Sequence, residues 1–132
     1  MPVAVTLGIL VEVESQFVPG RSSPETSQYF FAYTIRISNT GTGTVQLLTR
    51  HWIIEDAVGR VEEVRGPGVV GKQPILGPGQ TFQYTSACPL TTAYGSMRGT
   101  YQFVREDGTG FDVRIPEFEL AIPTASRSKL LN

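Results

Sequence analysis

Across residues 28–39 the chain alternates: Tyr29, Phe31, Tyr33, Ile35 and Ile37 fall on one side of an extended backbone, and Phe30, Ala32, Thr34, Arg36 and Ser38 on the other. A period of two in aromatic and β-branched residues predicts a half-buried strand. The same reading places strands at 45–56, 60–65, 80–87, 97–105 and 110–115, with 118–122 continuing the last one beyond Pro116. Turn signals separate them, among them Asn39-Thr40-Gly41-Thr42-Gly43, Asp56-Ala57-Val58-Gly59, Pro78-Gly79 and Glu106-Asp107-Gly108-Thr109. Cys88-Pro89 is expected to stop the run from Gln80, because proline cannot donate to a ladder. Residues 3–17 read as one N-terminal strand with Val5, Leu7, Ile9, Val11 and Val13 on its apolar side, and 18–26 as a turn-rich, mobile linker.

No stretch carries a helical period. Seven or eight short strands with frequent turns predict an antiparallel β-sandwich of immunoglobulin or fibronectin III type, a closed barrel being the alternative. Trp52, Phe31, Tyr33, Tyr101 and Phe111 are the expected buried aromatics.

A chain of 132 residues suits one domain, expected over 1–123, with a disordered tail over 124–132. It is 40% apolar and 17% charged with a net charge of −1, and its basic residues are scattered, so no nucleic-acid footprint is expected. One cysteine leaves no internal disulfide, and the start lacks the features of a secretory signal, so a cytoplasmic location is expected. The longest apolar stretch, 3–13, is interrupted by Thr6, Gly8 and Glu12, so no membrane insertion is expected.

Gly66-Pro67-Gly68-Val69-Val70-Gly71 matches the glycine spacing of dinucleotide sites, yet the next residues are Lys72-Gln73-Pro74-Ile75-Leu76-Gly77-Pro78-Gly79. Two prolines and two more glycines cannot open the helix whose N-terminus holds a pyrophosphate. The segment therefore reads as a loop between sheets. A weaker role survives for it as an anion or nucleotide site, with Gly66, Gly68 and Gly71 forming a backbone nest between the positive charges of Arg65 and Lys72.

One histidine and one cysteine cannot build a structural zinc site. The acidic doublets Glu55-Asp56, Glu62-Glu63 and Glu106-Asp107 would chelate a hard cation only if a turn folded them back, since neighbours on a strand face opposite ways. Cys88 has no adjacent base and reads as a small hydrophobe, and His51 as a structural histidine. No catalytic set, metal or cofactor is expected. On the strand 45–56, Trp52 shares its side with Leu48, Arg50 and Ile54 and is assigned to the core. Val45, Leu47, His51 and Ile53 then form an unusually apolar opposite face, expected to be covered by another segment, a protein partner or a second copy.

FAYTIRISNTG at 31–41, RHWIIEDAVGRVEEVRGPGVVGKQPILGPG at 50–79, FQYTSACPL at 82–90, MRGTYQFV at 97–104 and FELAIP at 118–123, in this order, resemble the ApaG family. The resemblance implies a fibronectin III-like sandwich. Bacterial members are labelled cobalt and magnesium efflux proteins, and related domains occur in eukaryotic F-box proteins and a polymerase-interacting protein. Those settings imply a non-enzymatic interaction domain with an indirect link to divalent-cation homeostasis.

Overall fold

The computed structural model describes residues 1–123, which form nine strands: β1 (Val3–Thr6), β2 (Ile9–Phe17), β3 (Tyr29–Asn39), β4 (Val45–Asp56), β5 (Val61–Pro67), β6 (Ile75–Leu76), β7 (Thr81–Leu90), β8 (Tyr94–Arg105) and β9 (Gly110–Ala121). One antiparallel sheet has the order β1-β2-β3-β7 and the other β5-β4-β8-β9, with the short β6 also on β4. The two face each other as a sandwich of fibronectin III type. The expected tail, 124–132, lies outside the described residues.

The alternation across β3 does what its period demands. Phe31, Tyr33, Ile35 and Ile37 are buried, and they meet Trp52, Met97, Tyr101, Phe103, Val113, Phe118 and Leu120 from the other sheet in one apolar core. Trp52 sits edge-on to Tyr33, Tyr101 and Phe118, with ring centroids 5.5, 6.4 and 5.9 Å away. Phe111 is only half buried. It stacks on Phe103 at 5.8 Å and lies under the Arg105 guanidinium, 4.0 Å from its ring centre.

Four expectations need correction. The single strand over 3–17 is instead a hairpin, pairing Thr6 with Ile9 across a two-residue turn in which Leu7 and Gly8 both have positive φ, 47° and 84°. Both dihedrals suit the two-residue turn whose twist matches a hairpin, and Gly8 also packs so closely on Gly41 that a Cβ would come within 3.2 Å of its Cα. The turn sends Val5 and Leu7 outward, 62% and 67% exposed, instead of into the core.

The linker 18–26 makes two 3₁₀ turns tied to β3: the Ser22 hydroxyl accepts from the Phe30 amide at 2.9 Å and donates to the Val18 carbonyl, while Arg21 lies over the Phe30 ring. Strand β7 does not stop at Cys88 but runs through Pro89, which pairs with Phe30. Pro89 is tolerated because β7 is an edge and its missing N–H faces away from β3.

The fourth correction concerns the face of Val45, Leu47, His51 and Ile53. Pairing of β4 with β8 slips between Leu47 and Thr49, so Leu48 is an extra residue and the side-chain phase inverts. Before the bulge Val45 and Leu47 point into the core, 7% and 0% exposed; after it Trp52 points inward at 3%, with Ile54 packed beside the core. His51 and Ile53 remain on the outer face. The proposed apolar face is thus split between the two sides of its sheet.

Burial also sets the response to alkali. Tyr33, Tyr84 and Tyr101 are all shifted above the ordinary phenol value of 10.0, chiefly because burial disfavours the phenolate, and burial pushes the Cys88 thiol from 9.0 up to about 11. The folded chain therefore holds protons that the unfolded chain releases. Stability from these groups is intact below pH 9.0 and falls as pH rises, first through Cys88 and above 10.0 through the tyrosines. Each such group costs about 1.4 kcal/mol per pH unit once it ionises only in the unfolded chain. Urea midpoints measured from pH 8 to 11 should decline steeply past 10, and a flat profile would contradict the burial of these phenols.

Candidate functional site

The bulge at Leu48 also positions the glycine segment. The carbonyl of Leu48 accepts from the Gly68 amide at 2.8 Å and from the Gln73 side-chain amide at 2.9 Å, which pins the chain where it leaves β5. Val69 and Lys72 then exchange two backbone bonds, 2.8 and 2.9 Å, across a tight turn in which Val70 and Gly71 have φ of 44° and 79°. Arg50, pointing inward after the bulge, lays its guanidinium against Gly66 and donates from Nη1 to the carbonyls of Pro67 and Gly68 at 2.9 and 3.0 Å. A Cβ at Gly66 would come to 3.0 Å from that guanidinium, which would have to give way by a few tenths of an ångström.

This arrangement bears on the anion nest. The amides of Gly68, Val69 and Lys72 are spent on protein carbonyls. Gly66 is part of β5, opposite Arg50. Of Arg65, Gly66, Gly68, Gly71 and Lys72, only Arg65 and Gly66 line the nearby surface depression, of about 680 Å³, which they share with Thr49, His51, Thr100, Gln102 and Asp112. The loop is built with its carbonyls toward a cation. Its motif spacing reflects a strand end and a tight turn.

The depression lies on the outer face of the second sheet. Gln102 organises it: its Oε1 accepts from Thr49 Oγ1 at 2.8 Å, and its Nε2 donates to Thr100 Oγ1 at 2.8 Å and to Asp112 Oδ1 at 3.4 Å. His51 stands opposite Arg65 on one side and Thr100 on the other, and its Nε2 is 2.8 Å from Glu63 Oε1. Gly99 of β8 lets β4 approach closely here; a Cβ at Gly99 would fall 2.0 Å from the His51 carbonyl oxygen.

The acidic doublets have structural employment. Asp56 accepts from the Val58 and Arg60 amides, Asp107 from the Thr109 amide and hydroxyl, and Glu55 pairs with Arg98 at 3.3 Å. The bonds from Thr109 hold the Asp107 carboxyl below its ordinary value. Among the described residues no group of three or more His, Cys, Asp or Glu could hold a metal ion. What this outer face offers is a hydrogen-bonding surface: donors and acceptors fixed in place on a rigid sheet.

Known proteins share this architecture. A family model described as the ApaG domain matches residues 19–105. The chain belongs to the ApaG family. It is 55% identical over 125 residues to Protein ApaG of Afipia carboxidovorans, covering 95% of this chain and 96% of that one. Protein ApaG of Dechloromonas aromatica is 59% identical over 117 residues, covering 89% and 92%. A crystal structure from Bordetella pertussis, named there as an ApaA protein, is similar with a TM-score of 0.86 at 54% identity, covering 93% of this chain and 97% of that one. The ApaG match runs from the linker before β3 to the end of β8, and so takes in the glycine segment and β7.

Two features of the site escaped the sequence. The side of Arg50 was legible, since it shares it with Trp52, but its bonds to the Pro67 and Gly68 carbonyls were not, because tertiary structure alone brings those groups to it. The Leu7-Gly8 turn lacks the Asn or Asp that marks such turns strongly.

Proposed function

We propose that this chain is a non-enzymatic, cytoplasmic interaction domain of the ApaG family, recognising another protein through the outward face of its first sheet at β1. The observation that carries the reading is the apolar strip along β1 and into the turn after it: Val3, Val5 and Leu7 are 50%, 62% and 67% exposed, and Val5 stands directly opposite Leu10 on the same outward face. The outer faces of antiparallel sheets are ordinarily polar, and a run of exposed apolar side chains on an edge strand marks a contact surface. Binding is favoured over catalysis because Cys88 is held as a neutral thiol by burial and His51 is committed to Glu63. No helix among the described residues is long and apolar enough to cross a membrane. A link to cobalt and magnesium homeostasis would accordingly run through the partner. The alternative, a phosphate or nucleotide held by 66–71, is weaker because the Gly68, Val69 and Lys72 amides already donate to protein carbonyls.

The double variant Val3→Asp, Val5→Asp tests the reading. Exposed substitutions of this kind change stability by only about 0.5 kcal/mol, so folding should be preserved. A partner cross-linked to the wild-type chain in cells, identified and then purified, should bind the variant at least about tenfold more weakly, equivalent to ~1.4 kcal/mol. Equal affinity for both would reject the β1 strip as the contact.

A further inference from the structure

Four strand edges border the sandwich, and three of them are guarded. β1 and β9 lie against each other, with the Arg114 amide donating to Thr6 Oγ1 at 3.1 Å, and Ser15 Oγ of the adjoining β2 donates to the Glu119 carbonyl of β9 at 2.7 Å. β5 carries Glu62, Glu63 and Arg65 and ends in Gly66-Pro67, charges and a proline of the kind that deter strand addition. β7 differs. Its ten residues, TFQYTSACPL, hold no charge, pair only with β3, and have no strand on the other side among the described residues.

The register tells which main-chain groups of β7 are open. Phe30 directs its carbonyl to Val18 N and its amide to Ser22 Oγ, away from β7, whereas the Asn39 amide donates to Gln80 O. Odd-numbered residues of β3 therefore bond β7, and their partners Phe82, Tyr84, Ser86 and Cys88 face inward to the ladder. Thr81, Gln83, Thr85, Ala87 and Pro89 point their backbone groups outward, and all five are exposed.

We infer that β7 is the pairing edge for a second copy of this chain, joined antiparallel about a two-fold axis at Thr85. That axis sets Thr85 against Thr85, Gln83 against Ala87, and Thr81 against Pro89, so every outward N–H meets an outward carbonyl. Pro89, the one position with no N–H to give, falls at the end of the register, where its carbonyl can still accept from Thr81. On the outer face a threonine pair faces across the axis, and no like charges oppose. An isologous contact of this kind closes after two chains and joins the two four-stranded sheets into one. The charge-free edge explains why a copy fits: an edge meant for a charged segment would carry the complementary charge, and β7 carries none. This contact is separate from the β1 strip, which lies at the opposite edge of the same sheet.

Sedimentation equilibrium of the whole chain from about 1 µM to about 1 mM provides the test, spanning weak to moderate association. The wild type should show a concentration-dependent dimer, and hydrogen exchange should slow at Gln83, Thr85 and Ala87 with rising concentration while Tyr84 and Ser86 stay unchanged. Thr85→Lys and Thr85→Asp, both at an exposed position, should each be monomeric at concentrations where the wild type is dimeric, because the axis places like charges face to face. Mixed in equal amounts, they should dimerise again. A wild type that stays monomeric throughout, a Thr85→Lys protein that dimerises as the wild type does, or a mixture that fails to recover would each overturn the proposal. The first of these outcomes would leave the edge open to a strand from a different polypeptide.

Discussion

Trp52→Ala should lower the folding free energy by about 3–5 kcal/mol, the range for truncating a large buried aromatic. Trp52 is 3% exposed and sits where the two sheets come together, between Tyr33 of β3 on one side and Tyr101 and Phe118 of β8 and β9 on the other. Its loss removes the transfer free energy of the indole and leaves a void that three rings on two different sheets cannot close together. Each edge-to-face ring pair adds about 0.5–1.5 kcal/mol beyond the buried area. Because this is the only tryptophan, unfolding of the variant has to be followed by circular dichroism instead of indole fluorescence. Urea denaturation within about 1 kcal/mol of the wild type, an ordinary value for a point substitution, would show that Trp52 does not anchor the core.

That expectation follows from sequence and structure alike, and the agreement has a physical source. Where apolar residues alternate with polar ones, as across β3, only one side can face a core, and the strand and its buried residues are legible together. The ambiguity begins where both sides are apolar. Leu47 and Leu48 are neighbours, and a chain reading Val-Gln-Leu-Leu-Thr-Arg-His-Trp gives no residue-level mark of which leucine is the inserted one. A bulge is decided by the partner strand: β8 supplies Phe103 opposite Leu47 and Gln102 opposite Thr49, and nothing opposite Leu48. The strand bounds at 45–56 could therefore be read directly while its inside and outside could not.

The glycine segment shows the same limit from the other direction. Its spacing could be rejected as a dinucleotide motif from Pro74 and Pro78, since local chemistry forbids the helix. Where its Gly68 amide and its Pro67 and Gly68 carbonyls go depends on Leu48 and Arg50, which are brought to it by tertiary structure. The open edge at β7 was hidden for a related reason. An uncharged strand looks alike whether it lies at the centre of a sheet or at its rim, and Pro89 reads as a terminator until the direction of its missing N–H is known.

The phase inversion at Leu48 makes its own demand: Leu47→Asp should unfold the chain and Ile53→Asp should not. In an unbroken strand positions 47 and 53 share a face, and the two aspartates would behave alike. With the bulge between them they part. Leu47 is fully buried among core side chains, and a carboxylate there has neither water nor a cation to replace it, a penalty expected to exceed about 4–5 kcal/mol. A domain of this size has roughly 5–15 kcal/mol in all, so most or all of its stability would go. Ile53 is half-buried on the outer face, with Arg98 beside it on β8 and Glu63 on β5. An aspartate there meets one opposite and one like charge, both partly solvated, and should cost about 1 kcal/mol, the common value for point substitutions. Circular dichroism and urea midpoints of the two variants decide the matter: equal damage from both would mean that β4 runs without a bulge, and that His51 and Ile53 belong to the core with Leu47.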